Sequence, residues 1–179
     1  MAILPITLYG DKILKEKTKP VKQINDEIIG NIRDMFQTMR NAGGIGFAAN
    51  QMGLNKSIFV VDLSVMEEYK DMQPLVFINP VVTLQSDETV IYEEGCLSLP
   101  LLRADVERPE IIEINYLDPD ENEKVLEADD WLARVILHEY DHLQGKMIPD
   151  RVEADLKKQL KGQLSDIMNR KVKIDYETT

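Results

Sequence analysis

The stretch IIEINYLDPDENEKVLEADDWLARVILHEYDHLQ, Ile111 to Gln144, decides the fold class. Ile111–Leu117 and Glu123–Glu127 are rich in β-branched and apolar residues, so each reads as a strand. Between them Asp118-Pro119-Asp120-Glu121-Asn122 is turn chemistry, which makes the pair a hairpin. From Asp129 the apolar spacing becomes that of a helix, running to about Gln144 with Gly145 as a stop. Upstream, Ile28, Ile32, Met35, Phe36 and Met39 recur at three- and four-residue spacing, so Asp26–Met39 is a helix, capped by Asn25 or Asp26 and ended by Gly43-Gly44. Strands are expected at Ser57–Leu63, Leu75–Val82 and Thr89–Tyr92, and a last helix over Glu153–Asn169. Strands and helices do not alternate. The expectation is therefore α+β, with mostly antiparallel twisted sheets packed around the second helix, rather than a doubly wound parallel sheet.

The length of 179 residues suits one domain, expected to span residues 1–179. An apolar content of 44% is enough for a packed core. No run approaches the roughly 20 apolar residues that span a bilayer. Met1-Ala2-Ile3-Leu4-Pro5 lacks a basic segment followed by an apolar run, so no signal peptide is expected. A single cysteine forms no internal disulfide, in agreement with a reducing compartment such as the cytoplasm. The net charge of −11 argues against a dedicated nucleic-acid-binding domain. It is uneven: Leu156–Lys173 holds six basic residues and one acid, a +5 segment that leaves −16 on the rest. A solvated helix face and a contact surface for RNA both fit that segment.

Two histidines and one cysteine are the only imidazole and thiol groups in the chain. His138 and His142 stand four apart in His138-Glu139-Tyr140-Asp141-His142, so on a helix both imidazoles point to one face. Glu139 then reaches a water on any ion the pair holds. The third ligand decides the class of site. A metzincin needs a further histidine where this chain has Ile148, although Gly145 is in place. A glutamate ligand beyond the helix would have to be Glu153, very near, or Glu177, in a segment expected to fray. Cys96 is better chemistry, because Cys-His-His suits divalent iron, zinc, nickel or cobalt and leaves a position for water. Taken alone, Cys96 would more often be a small core residue. A metallopeptidase of another class and a metal-dependent sensor without turnover both stay open at this point.

Gly44-Ile45-Gly46-Phe47-Ala48-Ala49 matches a dinucleotide-binding fingerprint in letters only, since it follows a helix and precedes a strand. A tight connection, or a loop whose backbone approaches an extended ligand with Gln51 as an amide donor, fits better.

Together, Gly44-Ile45-Gly46-Phe47-Ala48-Ala49-Asn50-Gln51, Glu94-Gly95-Cys96-Leu97-Ser98 and His138-Glu139-Tyr140-Asp141-His142 resemble peptide deformylases in content, order and spacing. The resemblance covers about residues 4 to 150 and includes Leu8-Tyr9-Gly10, Glu107-Arg108-Pro109 and Leu143-Gln144-Gly145. It implies removal of the formyl group from N-formylmethionyl peptides, with release of formate. It implies Cys96, His138 and His142 as metal ligands, with Fe²⁺ the physiological ion and zinc, nickel or cobalt as possible occupants. It implies Glu139 as general base and then acid, and the Leu97 N–H and Gln51 side chain as oxyanion donors. Ile45, Gly46 and Gly95 would pair with the substrate backbone, and Arg103 matches a basic position near the substrate. Because the substrate is a nascent chain, the basic last helix would touch ribosomal RNA. Three departures from the family pattern stand out: Leu137 where Gln is common, Asn50 where Pro or Thr is frequent, and Leu101 where Gly is frequent. Leu137 puts in question what hydrogen-bonds the metal ligands. A carboxylate beside a ligand loop needs a partner, so Arg108 is expected to pair with Glu94.

Overall fold

The computed structural model describes residues 2–179. Among them are helices α1 (Asp26–Asn41), α2 (Asp130–Leu143) and α3 (Ala154–Met168). The strands are β1 (Gly46–Ala48), β2 (Ile58–Val61), β3 (Leu75–Gln85), β4 (Thr89–Cys96), β5 (Leu99–Pro109), β6 (Ile112–Leu117) and β7 (Glu123–Ala128). They form an antiparallel five-stranded sheet, β1-β2-β3-β6-β7, and a separate β4-β5 pair. The α+β, antiparallel expectation holds. The β6–β7 hairpin turns through Asp118, whose carboxylate accepts from the Asp120 and Asn122 amides.

β2 explains how the sheet is layered. Its four residues are all buried, because both faces are covered. Phe59 and Val61 pack into a cluster with Val135, Ile136 and Leu137 of α2. Ile58 and Val60 pack into a second cluster with Ile28, Ile32, Met35 and Met39 of α1. A continuous apolar run, rather than an alternating one, is what a two-sided strand requires. A third cluster joins Leu99, Leu102, Ala104 and Val106 of β5 to Leu160, Leu164 and Ile167 of α3.

Helix boundaries fall within two residues of expectation. Asn25 is the cap of α1, accepting the Ile28 amide at 3.0 Å. Gly43 and Gly145 follow α1 and α2 at φ +71° and +70°. Four expectations need correction. Gly46–Ala48, expected in a connecting loop, is strand β1, paired antiparallel with β2. β4 continues from Tyr92 to Cys96 and so carries Glu94 and the cysteine. β5 was not expected as a strand, although Leu102, Ala104, Val106 and Arg108 alternate as buried residues with exposed ones between. The segment around Glu177 is not frayed: the Ile6 amide donates to the Glu177 carbonyl at 2.9 Å, and Ile6 bridges Thr178 in parallel. No helix among the described residues is long and apolar enough to cross a membrane.

Candidate metal centre

Two elements bring the ligand candidates together. β4 and β5 pair in register from Thr89 to Gly95, and the register then shifts between Gly95 and Cys96. Cys96 therefore sits at the closing end of the hairpin, where the ladder breaks. α2 presents His138 and His142 one turn apart, their ring centroids 5.2 Å from each other. The Cys96 sulfur, His138 and His142 ligand atoms all lie within 4.8 Å of one another. Cys96 Sγ is 3.2 Å from His142 Nε2. His138 Nδ1 is occupied by Glu94 Oε2 at 2.9 Å, which leaves Nε2 for an ion. Glu139 Oε2 and His142 Nδ1 are buried without a hydrogen-bond partner among the described residues. One thiolate and two imidazoles are a donor set that a divalent transition metal accepts, so the residues fit the ion the motifs imply.

Without an ion, these groups shift one another's ionisation. Burial would push the Cys96 thiol up, but His142 and His138 overcome it and pull it down to about 5. Burial likewise opposes a charge on His138, yet its bonds to Cys96 and Glu94 hold it well above the usual imidazole range. Burial dominates at Glu139 and raises its carboxyl to about 7, against the pull of both histidines.

Beneath these three side chains lies a buried ion network. Arg108 grips Glu94 through Nε–Oε1 at 2.6 Å and Nη2–Oε2 at 3.0 Å, as expected from sequence. It also donates to Asp141 Oδ2 at 2.8 Å. Arg134 donates to Glu94 Oε1 at 2.8 Å and to the carbonyl oxygens of Val106 and Val90, and Arg151 pairs with Asp141. Arg134, Asp141 and Arg151 were not expected in this role. The available signal was spacing: residues 134, 138 and 141 share one stripe of α2. Leu137 lies in the core, and Glu94 rather than residue 137 orients His138. Asn50 is fully buried and donates to the His142 carbonyl at 2.7 Å, so this departure from the family pattern anchors the end of α2.

Ile45, Gly46, Gln51, Gly95, Cys96, Leu97, Arg103, His138 and Glu139 all line one cavity of about 570 Å³; His142 stands behind it, almost fully buried. Gln51 accepts the Ala48 amide at 2.8 Å through Oε1, which turns Nε2 toward Ser98 Oγ (3.1 Å) and Cys96 Sγ (3.6 Å). A Cβ on Gly46 would stand 2.5 Å from Glu139 Oε1, and one on Gly95 would collide with the Arg103 guanidinium. Close approach requires glycine at Gly46, where Val135 and the buried Glu139 leave no room, whereas at Gly95 the exposed Arg103 side chain can swing aside. Leu101, at the cavity rim, is 76% exposed and takes φ +64°, a conformation that favours the glycine frequent there.

The polypeptide deformylase family model matches residues 3–158. A peptide deformylase of Cytophaga hutchinsonii is 44% identical over 167 residues, covering 92% of this chain and 90% of that one. One from Rickettsia typhi is 43% identical over 176 residues, covering 97% and 96%. Among solved structures, the Synechococcus elongatus peptide deformylase in complex with actinonin is similar at a TM-score of 0.82 and 42% identity, over 94% of this chain and 87% of that one. A plant peptide deformylase is similar at a TM-score of 0.88 and 30% identity, over 94% and 90%.

Proposed function

The chain belongs to the peptide deformylase family, and from that premise we propose how its own residues perform the reaction. It is a metal-dependent hydrolase that removes the N-formyl group from the N-terminal methionine of nascent polypeptides and releases formate. The observation that supports the roles best is the meeting of Cys96, His138 and His142, within 4.8 Å, beside a buried Glu139 with one unpartnered oxygen. In our reading residues 1–179 are one catalytic domain with α2 at its centre.

Cys96 Sγ and the Nε2 atoms of both histidines would hold the ion, Fe²⁺ in the cell, with zinc, nickel or cobalt able to take its place. When bound, it supplies a Lewis acid and a water of lowered pKa. Glu139 accepts the proton of the attacking water and hands it to the departing amine, and an acid near neutrality suits both steps. The Leu97 N–H and Gln51 Nε2 stabilise the oxyanion, each worth roughly 3–4 kcal/mol in comparable hydrolases. Gln51 comes pre-aimed, because its oxygen is committed to Ala48. Ile45, Gly46 and Gly95 pair with the substrate backbone, with Arg103 across from Gly95 on β5. Ile45, Trp131, Val135 and the stem of Arg134 receive the methionine side chain.

Anaerobic purification with metal analysis, then formate release from a formyl-Met peptide before and after air exposure, tests the reading. Activity lost in air and restored by Fe²⁺ or Ni²⁺ is the expected result. Full activity after air exposure with zinc bound removes the iron assignment. Amine release from an unformylated peptide, without formate release, removes the reaction.

We further propose a cytoplasmic enzyme whose basic segment Leu156–Lys173, formed by most of α3 and the turn after it, contacts ribosomal RNA, on the strength of its +5 charge. Replacing the exposed Lys157, Lys158, Lys161 and Lys171 by Glu, which leaves the buried face of α3 intact, should weaken ribosome co-sedimentation, and the parent's binding should fall steeply with salt. Equal binding by both proteins removes the contact.

A further inference from the structure

The family match ends at residue 158, yet Lys173, Ile174, Asp175 and Tyr176 line the active-site cavity. After α3 the chain turns back and lies against its own first residues. Ile6 donates to the Glu177 carbonyl at 2.9 Å and accepts from the Thr179 amide at 3.1 Å. Asp11 fastens the same segment, taking Thr179 Oγ1 and Arg170 Nη2 at 2.9 Å each. This anchoring delivers Tyr176 to the cysteine loop, where its hydroxyl donates to the Leu97 carbonyl at 2.7 Å. The ring packs in the same cluster as Leu97, Phe47 and Ala49.

Leu97 follows Cys96 directly and lies past the break in the β4–β5 ladder, so strand pairing does not hold its peptide. Its surroundings do. The Tyr9 amide donates to the Ser98 carbonyl at 2.9 Å, and Gln51 Nε2 donates to Ser98 Oγ at 3.1 Å. The Thr7 amide in turn holds the Gln51 carbonyl at 2.8 Å. The extended segment Ile6–Tyr9 thus ties together Gln51, Ser98 and, through Glu177, the residue next to Tyr176. Tyr176 is the one side chain in this set that reaches the Leu97 carbonyl.

We propose that Tyr176 is a positioning residue for deformylation: by holding the Leu97 carbonyl it fixes the backbone on which the Leu97 N–H meets the developing oxyanion. The proposal rests on the deformylase reading and on Leu97 as an oxyanion donor. A donor aimed only at the transition state changes kcat rather than KM. Complete loss of such a donor costs about 10²–10³-fold, and a donor left in place but free to tilt loses part of that.

The test is Tyr176→Phe in the metal-loaded enzyme, which keeps the ring and removes the hydroxyl. We expect kcat for a formyl-Met tripeptide to fall about tenfold and KM to stay within about twofold. Bound metal and melting temperature should match the parent. An unchanged kcat, or a change confined to KM, overturns the proposal. A kcat loss matched by loss of bound metal also overturns it, because Tyr176 would then act through Cys96. A parent enzyme that releases no formate refutes the deformylase reading instead, so the two failures are distinguishable.

Discussion

Glu139→Gln lowers formate release by about 10³-fold while the protein keeps its metal. The substitution preserves shape and removes the carboxylate that we propose first takes a proton and then gives it up. Cys96, His138 and His142 are untouched, so metal content should stay at the parent level, and KM should change little. Stability adds an independent reading with a definite sign. Burial raises the Glu139 carboxyl from 4.5 to about 7, so in the metal-free protein its ionisation disfavours the folded state. The stabilisation it gives when protonated is complete below about 4.5 and is lost as pH rises through about 7. Metal-free Glu139→Gln should therefore melt higher than the metal-free parent at pH 8, and the gap should close below pH 4.5. Formate release within tenfold of the parent would remove Glu139 from the proton transfers.

The meeting of Cys96, His138 and His142 was legible because scarcity did the work: with two histidines and one cysteine in the whole chain, few alternatives existed. The helices were legible because each is amphipathic, and the β6–β7 hairpin because its turn is locally encoded by Asp118. β5 does not stand out in the sequence although Leu102, Ala104, Val106 and Arg108 alternate, because a charged residue at a buried position disguises the period. That residue, Arg108, is buried because it neutralises two carboxylates from different elements, Glu94 on β4 and Asp141 on α2. Of this network, only the Arg108–Glu94 pair was anticipated. The folding back of residues 176–179 onto Ile6 had no local signature, since parallel bridging depends on the far end of the chain. A single sequence reveals groups defined by rarity or by local period. It hides those defined by which distant strand lies alongside.

Arg108→Ala should destabilise the fold by about 3–5 kcal/mol, because it leaves two buried carboxylates short of their shared counter-ion. For a domain of this size that is a fall in melting temperature of roughly 10 °C. Arg134 still reaches Glu94 and Arg151 still reaches Asp141, so folding is not abolished. The consequence for the metal is specific. Glu94 Oε2 receives both Arg108 Nη2 and His138 Nδ1, so losing the guanidinium loosens the carboxylate that orients His138, a proposed ligand. Metal affinity should drop about 10–100-fold, as is typical when a group that orients a metal ligand is lost. Arg108→Lys should recover little of either, since one ammonium cannot bridge Glu94 and Asp141 in the forked geometry observed. The pH dependence has a fixed sign. Burial opposes ionisation of Glu94, but the His138 hydrogen bond and Arg108 prevail and hold its carboxyl well below the usual range. Its stabilisation is therefore present above the ordinary value of 4.5 and is lost as pH falls toward the lowered one. Without Arg108 the Glu94 carboxyl moves up, and acid unfolding should begin at a higher pH than in the parent. Thermal melts from pH 3 to 8, with competitive chelator titration at pH 7, measure both effects. A variant that melts within 2 °C of the parent and binds metal equally well would show that Arg134 and Arg151 alone sustain the network.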